Sequence, residues 1–365
     1  MSINQVDTIK KLSAQSGPSF VYHEDLAKIE AELKGHILRV TDFSTHFDAV
    51  DKPYIYSQLA IPALCDLPHE VWTSSSRDKV TYHHSNKLEY SKAGKTTLIR
   101  VVVDENDTKK LKQGHRTALA QAGYEAYTIL FDFMKKHNYG ELVRVWNYVP
   151  QLLMMSDAKI NREDRERYRQ FNTGRSDAWH NKGPRDKDGN LLRPSATGVG
   201  THNGPLVIEA VASKNPVFYI DNPRQIPAYN YPTKYGTKSP AFSRATLHMA
   251  ETGPELYIAG TASIVGSETV HIGDVKKQVD ETFKNIEALI STSNLSPYIK
   301  KGFELQDIMG VRVYIKNPDD YELVRKCVEK YLGSEKPITY LNNDICRPDL
   351  LLEIEGIARK TSPLL

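Results

Sequence analysis

The clearest hydrophobic pattern of the chain lies close to its C-terminal end. Apolar residues occupy every second position from Leu350 to Ile354, which predicts a strand with one apolar face. Glu353 and Glu355 point to the opposite face. Two carboxylates on a largely apolar strand are costly unless they are solvated, paired or used in chemistry. Solvated carboxylates on an exposed sheet face are the commoner case. Whether these two are instead paired or used in chemistry depends on the segments that precede the strand.

The segments before this strand alternate between the helix and strand periods. Gly310 to Ile315 has the pattern of a strand, and Pro318 to Leu332 that of a helix whose N-cap is Asn317. Val275 to Ile290 has an apolar stripe at helical spacing, and Leu256 to Ile264 reads as an apolar strand. The order strand, helix, strand, helix, strand predicts an α+β fold with the helices on one face of the sheet.

The first half of the chain has a similar order. A strand is predicted over Thr97 to Val103, a strong helix over Gln113 to Lys136 and a strand over Glu141 to Val149. We interpret this half as a degenerate internal copy of the second half. A polar, Gly- and Pro-rich stretch at 180–204 predicts a boundary. The predicted domains are residues 1–180 and residues 181–365, the second carrying most of the active site.

Composition and charge exclude several classes of function. The chain has 365 residues and a formal net charge of +3, with no basic stripe of the kind that binds nucleic acid. It has no apolar run of membrane length, and Met1 to Lys11 is too polar for a signal peptide. Cys65, Cys327 and Cys346 are scattered, which favours free thiols and a reducing cytoplasm. We therefore expect no membrane and no nucleic-acid partner.

Motifs for cofactors and metals fail in this sequence. Ala93 to Thr96 ends like a phosphate-binding loop, but Glu89 stands where the first glycine is required. No His-Glu-x-x-His and no Cys-x-x-Cys occurs, so no zinc site is expected. We predict that the protein works without a metal or an organic cofactor.

Two sets of segments resemble known families. Four segments of the last third resemble the YjgF/RidA-type fold: Leu256 to Ser263, Gln278 to Ile290, Arg312 to Ile315, and Leu352 to Ala358. Small members of that group are trimers that hydrolyse imines, but Ile338 stands where they carry the anchoring arginine. Six segments resemble the chorismatases: Arg144 to Pro150, Tyr168 to Arg175, Pro194 to Gly200, Asn222 to Gln225, Tyr229 to Pro232, and Ser239 to Ala245. Together, the two resemblances cover residues 140–360.

The chorismatase resemblance implies a general acid. Glu353 aligns with the strand glutamate that the family uses as its acid. An acid that works near neutral pH needs a raised pKa, and the apolar strand around Glu353 can supply the desolvation. Glu355 is then expected to be structural, as an ion-pair partner.

Chorismate has two carboxylates, for which arginine is the matching side chain. Arg244 follows a Ser-Pro-Ala-Phe-Ser segment and is the first candidate, and Arg175, just after Gly174 in a predicted helix-end turn, is the second. Each of them has an ordinary alternative, as a helix cap or a surface ion pair. The further candidates for substrate binding are Arg144, which could instead pair with Glu141, and Arg224, Tyr229 and Tyr231. For the two tyrosines the ordinary alternative is packing.

Two small residues bear on the product. The resemblance implies that the branch forming 3-hydroxybenzoate has glycine after the strand and cysteine before the terminal strand, and this chain has Gly260 and Cys346 there. The ordinary alternatives are a backbone with positive φ at Gly260 and a small buried hydrophobe at Cys346.

The resemblance therefore implies an enzyme that converts chorismate to 3-hydroxybenzoate and pyruvate, and we expect it to be a monomer in the cytoplasm. Its rivals are hydrolysis to 3,4-dihydroxycyclohexa-1,5-dienoate, formation of another hydroxybenzoate isomer, and a non-catalytic protein that binds a small acid. Fold alone does not separate these.

Overall fold

The computed structural model describes residues 19–74, 78–108, 116–156 and 164–360. The first eighteen residues of the predicted first domain and residues 113–115 of its predicted helix lie outside these ranges. Three large sheets follow one another along the described chain, and a separate two-stranded sheet accompanies the third. None of the described helices is both long enough and apolar enough to cross a membrane.

The first sheet has four strands and one helix. Its elements are β1 (Ser19–His23), α1 (Leu26–Glu32), β2 (Ile37–Ser44), β3 (Ile55–Ala60) and β4 (His69–Thr73). The spatial order is β1-β4-β2-β3. Strands β2 and β3 are parallel, and β4 is antiparallel to both of its neighbours.

The second sheet has six strands, in the order β5-β6-β7-β10-β8-β9. Strands β8 and β9 are parallel, and β10 is antiparallel to β7 and β8. Its elements are β5 (Thr81–His84), β6 (Leu88–Ala93), β7 (Thr96–Val103), the short α2 (Glu105–Thr108), α3 (Ala118–His137), β8 (Glu141–Pro150), α4 (Arg167–Lys182), β9 (Ser195–Thr201) and β10 (Leu206–Ser213).

The third sheet also has six strands, in the order β11-β12-β13-β18-β16-β17. Its elements are β11 (Val217–Ile220), β12 (Ala245–Ala250), β13 (Gly253–Thr261), the small hairpin β14 (Ile264–Val265) and β15 (Glu268–Thr269), α5 (Val275–Ile290), α6 (Thr292–Leu295), β16 (Ile308–Ile315), α7 (Tyr321–Leu332), β17 (Ile338–Asn342) and β18 (Leu352–Arg359). Four 3₁₀ turns accompany them: Ala228–Asn230, Thr233–Tyr235, Leu305–Asp307 and Pro318–Asp320.

Local sequence explains the helices of the third sheet. Helix α5 has the predicted bounds, and the Asp274 side chain caps it by accepting from the Lys277 backbone N–H at 3.0 Å. The predicted helix at 318–332 begins as a 3₁₀ turn, and the Asn317 side chain accepts from Asp319 N–H. The α+β prediction is confirmed.

The two six-stranded sheets have the same topology. In each sheet, the first three strands form an antiparallel meander and the next two form a parallel pair at one edge. The last strand in sequence lies between the meander and that pair. The first sheet follows the same plan but lacks the first two meander strands and the second helix among its described residues. The predicted internal copy is therefore present, and a third, truncated copy precedes it.

Two details of the prediction need correction. The boundary at 180/181 falls in the last turn of α4, yet β9 and β10 complete the second sheet, so the division between the two larger sheets lies between Ser213 and Val217.

Gly174 is not at a helix end but inside α4. A Cβ there would lie 1.8 Å from the Ala120 carbonyl oxygen, so this glycine lets α4 pack closely on α3.

The sheets bury both of their faces. Helices α5 and α7 cover one face of the third sheet, and α3 and α4 cover one face of the second. The opposite faces of all three sheets meet in a shared core, with these aromatic side chains: Phe43, Trp72, Trp146, Tyr148, Tyr257 and Tyr314. Polar groups on these inner faces are consequently far from water.

Candidate active site

A cavity of about 350 Å³ lies between the second and third sheets. One wall is the edge strand β9 and the start of α4, and the other is β13, β18 and the loops that precede β12 and β18. A bridge between Ser195 and Ser243 joins the edge of β9 to the loop before β12. The cavity is thus formed where two copies of the repeat meet within one chain.

Glu353 occupies the buried side of this cavity. It lies on β18 opposite Tyr314 of β16, and its carboxyl makes no hydrogen bond to any other described residue. Burial raises the pKa of Glu353 to about 8, and the nearby Glu355 carboxylate adds to the rise, while Arg144 and Arg244 oppose it. A carboxyl group in this setting keeps its proton at neutral pH, as a general acid must.

Glu355, two residues further on the same face, has the opposite surroundings. It accepts hydrogen bonds from Arg144 Nη2 at 2.6 Å, Trp146 Nε1 at 2.7 Å and Thr197 Oγ1 at 2.5 Å. Arg312 Nη1 lies 3.3 Å away. With these donors around it, Glu355 is held as an ion-pair partner, the structural role expected for it once Glu353 is taken as the acid.

Gly260 lets the acid approach the backbone of β13. The pairing of β13 with β18 is irregular between Ile258 and Thr261, and Gly260 lies in that interval. A Cβ on Gly260 would lie 1.9 Å from Glu353 Oε1. The residue has no positive φ, so close approach rather than backbone conformation explains the glycine.

Cys346 lines the same cavity, in the loop before β18. Burial raises the pKa of its thiol to about 12, and the Glu353 carboxyl contributes to the rise. The thiol is therefore neutral at physiological pH and acts as a small wall group rather than as a thiolate nucleophile.

Arg244 is the cation best placed for a substrate. Its backbone oxygen accepts from Ala259 N–H, which fixes it beside β13, and its Nη2 donates to Tyr231 Oη at 2.5 Å. Its Nε is buried without a partner, and no carboxylate of the described chain pairs with it. Arg244 and Tyr231 both line the cavity.

Arg347 is a second cavity cation, which the sequence reasoning missed. Its Nη1 donates to the Ser267 carbonyl oxygen at 2.8 Å, and its guanidinium lies 3.8 Å from the ring centre of Tyr235. Its Nη2 is buried and has no partner. The only signal in the sequence is its place between Cys346 and the strand that carries Glu353.

Four predicted substrate ligands lie outside the cavity lining, because each is held by other groups. Arg175 Nη2 donates to Asn172, and Arg144 is held by Glu355 and Thr197. Arg224 contacts Glu281 and Asn285 on α5, and Tyr229 donates to Asp221 at 2.6 Å. Arg144 does not pair with Glu141, as the alternative had it, but with Glu355.

The carboxyl and thiol groups of the cavity lining are not grouped as a metal site. Across the described ranges, no three His, Cys, Asp or Glu side chains are grouped as metal ligands would be. The donors that converge on the cavity are guanidinium, phenol and carboxyl groups, which suit an anionic organic molecule.

Comparisons with known proteins agree with this geometry. Residues 70–212 match the family model "Chorismatase FkbO/Hyg5-like, N-terminal", and residues 238–360 match "Endoribonuclease L-PSP". A chorismatase from Streptomyces rapamycinicus is 34% identical over 68% of this chain and 72% of its own length. A 3-hydroxybenzoate synthase from Streptomyces hygroscopicus is 29% identical over 94% of this chain and 97% of its own length.

A solved structure extends the likeness to the whole fold. The crystal structure of a chorismatase at 1.08 Å superposes with a TM-score of 0.80 and 26% identity, covering 94% of this chain and 99% of that chain. The repeated α+β sheets and the buried acid between them define a cavity for small organic acids. By sequence and by fold, the chain belongs to the chorismatase family.

Proposed function

We propose that this protein converts chorismate to 3-hydroxybenzoate and pyruvate. The observation that carries the proposal is the buried Glu353 carboxyl, which faces a cavity with two incompletely paired arginines. The relative named 3-hydroxybenzoate synthase, which matches over nearly the full length, supports the choice of product.

The cavity matches the chemistry of chorismate. Its volume of about 350 Å³ lies in the range of small-ligand sites. Arg244 and Arg347 both line the cavity, and their guanidinium groups match the two substrate carboxylates. Tyr231, already bound to Arg244, keeps that guanidinium in place. The enol ether is then held where Glu353 can reach its methylene carbon.

Glu353 starts the reaction by proton transfer. Protonation of the methylene carbon turns the enol ether into an oxocarbenium ion. The bond between the ring carbon and the ether oxygen then breaks, and pyruvate leaves with that oxygen as its ketone. The neighbouring ring hydroxyl oxygen moves to the carbon that lost pyruvate, and loss of one ring hydrogen as a proton then gives 3-hydroxybenzoate and restores the proton of Glu353. Chorismate has the same atoms as hydroxybenzoate plus pyruvate, so the overall reaction is that of a lyase and consumes no water. The route to the diene-diol acid would add one water molecule.

Gly260 and Cys346 support the hydroxybenzoate product. Gly260 allows the Glu353 carboxyl to lie against the backbone of β13, and the neutral Cys346 thiol lines the same cavity. Both positions therefore shape the space around the acid.

Product analysis tests the proposal. Purified protein is incubated with chorismate in the presence of a chelator, and the products are quantified by chromatography and mass, with heat-inactivated protein as the control. We expect 3-hydroxybenzoate and pyruvate in equal amounts. The diene-diol acid or another hydroxybenzoate isomer would refute the branch. Unchanged chorismate would refute the enzyme and favour a binding protein.

We also propose that the chain acts as a monomer in a reducing compartment such as the cytoplasm. One chain supplies both walls of the cavity. Its three cysteines are free.

A further inference from the structure

Behind the cavity, buried charges form a continuous row across the three sheets. Arginines and glutamates alternate along it, and each sheet contributes one of each. From one end to the other, the row contains Glu209, Arg39, Glu70, Arg312, Glu355 and Arg144.

The contacts along the row are short and dry. Arg39 lies 3.3 Å from Glu209 and 3.2 Å from Glu70, and Arg312 lies 2.5 Å from Glu70. Arg312 and Arg144 then hold Glu355, at 3.3 Å and 2.6 Å. The side chains of the row are at most 5% exposed. Buried ions at such distances interact strongly because little water screens them.

The row is electrically balanced without the acid. It holds three guanidinium and three carboxylate groups, and Glu353 is a fourth carboxyl beside its end. Ionisation of Glu353 would add a negative charge that no arginine of the row balances, and such a charge is costly where little water screens it. A protonated Glu353 keeps the cluster neutral.

We propose that this row is a positioning network that keeps Glu353 in its protonated form, so that the N-terminal sheet acts on the acid through Arg39 and Glu70. The inference rests on the proposed function, in which Glu353 is the general acid. It gives the truncated first copy of the repeat a role in catalysis, although that copy contributes no residue to the cavity lining.

The other groups that face Glu353 do not account for its protonated form. Burial raises the pKa of Tyr314 on β16, of Tyr168 on α4 and of Cys346, so all three are neutral. Arg144 of β8 belongs to the row itself. Arg244, before β12, is the one further cation that opposes the protonated form, and a substrate carboxylate bound to it would cancel that opposition.

Two variants at the far side of the row test the proposal. Glu70→Gln removes a negative charge. The glutamine keeps one side-chain oxygen, which can still accept the hydrogen bonds that Arg312 and Trp72 donate to Glu70. Arg39→Met removes a positive charge at similar volume. The first should lower the pH at which Glu353 ionises and the second should raise it, each by about half a unit to one unit at an effective dielectric constant near 20.

The readout is the ionisation of Glu353 itself. Infrared difference spectra against pH, recorded without chorismate, follow the protonated carboxyl band, which is assigned by its loss in Glu353→Gln. The alkaline limb of kcat/KM should move with it. If Glu70→Gln does not fold, Glu209→Gln is expected to shift the band in the same direction.

Two results would overturn the proposal. One is unchanged ionisation in variants that only melt at lower temperature, which would make the row purely structural. The other is a wild-type Glu353 that is already ionised at pH 6. If the band shifts as expected but chorismate is not consumed, the network stands and the proposed function fails.

Discussion

At the scale of single residues, the proposed chemistry depends on one carboxyl that keeps its proton. Glu353→Gln preserves the shape of the side chain but has no transferable proton. General acid catalysis typically contributes about 10²–10⁴-fold, so kcat should fall by that order while chorismate still binds. Steady-state kinetics and a binding titration check this. Glu355→Gln is the control: it keeps Glu353, so its kcat at pH 6 should fall far less. Normal turnover by Glu353→Gln would disprove the assignment of the acid.

The pKa of Glu353 predicts the pH dependence. A general acid works in its protonated form, so activity should be retained below the pKa and lost as the pH rises through about 8. The profile of kcat/KM reports this group in the free enzyme. A limb that falls near pH 4.5, the ordinary range of a glutamate, would contradict the buried acid. Control spectra at each pH show that the fold persists.

Arg244 and Arg347 should hold the substrate carboxylates. A hydrogen bond to a charged group contributes about 1.5–3 kcal/mol, so each alanine variant should lose about tenfold or more in kcat/KM. Arg224→Ala is the matched control, because Arg224 pairs with Glu281 on α5 and lies outside the cavity lining. If Arg244→Ala and Arg347→Ala behave like Arg224→Ala, neither arginine holds a carboxylate.

The site residues differ in how far sequence could predict them. Glu353, Gly260, Cys346, Arg244 and Tyr231 meet at the cavity as expected. The other predicted ligands fail because their partners, such as Glu281 for Arg224 and Asn285 beside it, are chosen by tertiary packing. Arg347 was missed because its surroundings also depend on tertiary packing. Only the fold shows that this arginine lines the cavity and has a buried nitrogen without a partner.

At the scale of elements, the important contact is between β13 and the carboxyl on β18. A methyl group on Gly260 would overlap Glu353 Oε1, so Gly260→Ala should displace the acid and shift the product toward the hydrated diene-diol acid. Gly198→Ala is the control, since Gly198 lines the same cavity but a Cβ there would meet Tyr168 at an ordinary 3.4 Å. The product ratio measures the effect. An unchanged ratio in Gly260→Ala would show that the position of the acid does not set the product.

Elements with strong periodicity were predictable and their pairing was not. Helix α5 has the predicted ends because its apolar stripe and its Asp274 cap are local features. The domain boundary was misplaced because the polar loop after α4 resembles a linker, whereas the pairing of β9 and β10 with the second sheet is long-range. The truncated first copy escaped notice because it lacks the long helix that marks the other two.

At the scale of the whole molecule, three sheets of one plan enclose a common core. We therefore expect a monomer of 41.3 kDa in solution. Light scattering coupled to gel filtration, over a range of protein concentrations, checks the mass. A stable trimer would contradict the interpretation that one chain already supplies the three copies.

The fusion of three copies into one chain has a consequence for how such a site can change. In a symmetric trimer every substitution is made three times, once in each subunit. Here a change in one copy leaves the others as they were, so a carboxylate can be a proton donor in one sheet and a counter-ion in its neighbour. The chain can therefore specialise the junction between the second and third sheets without changing the other copies.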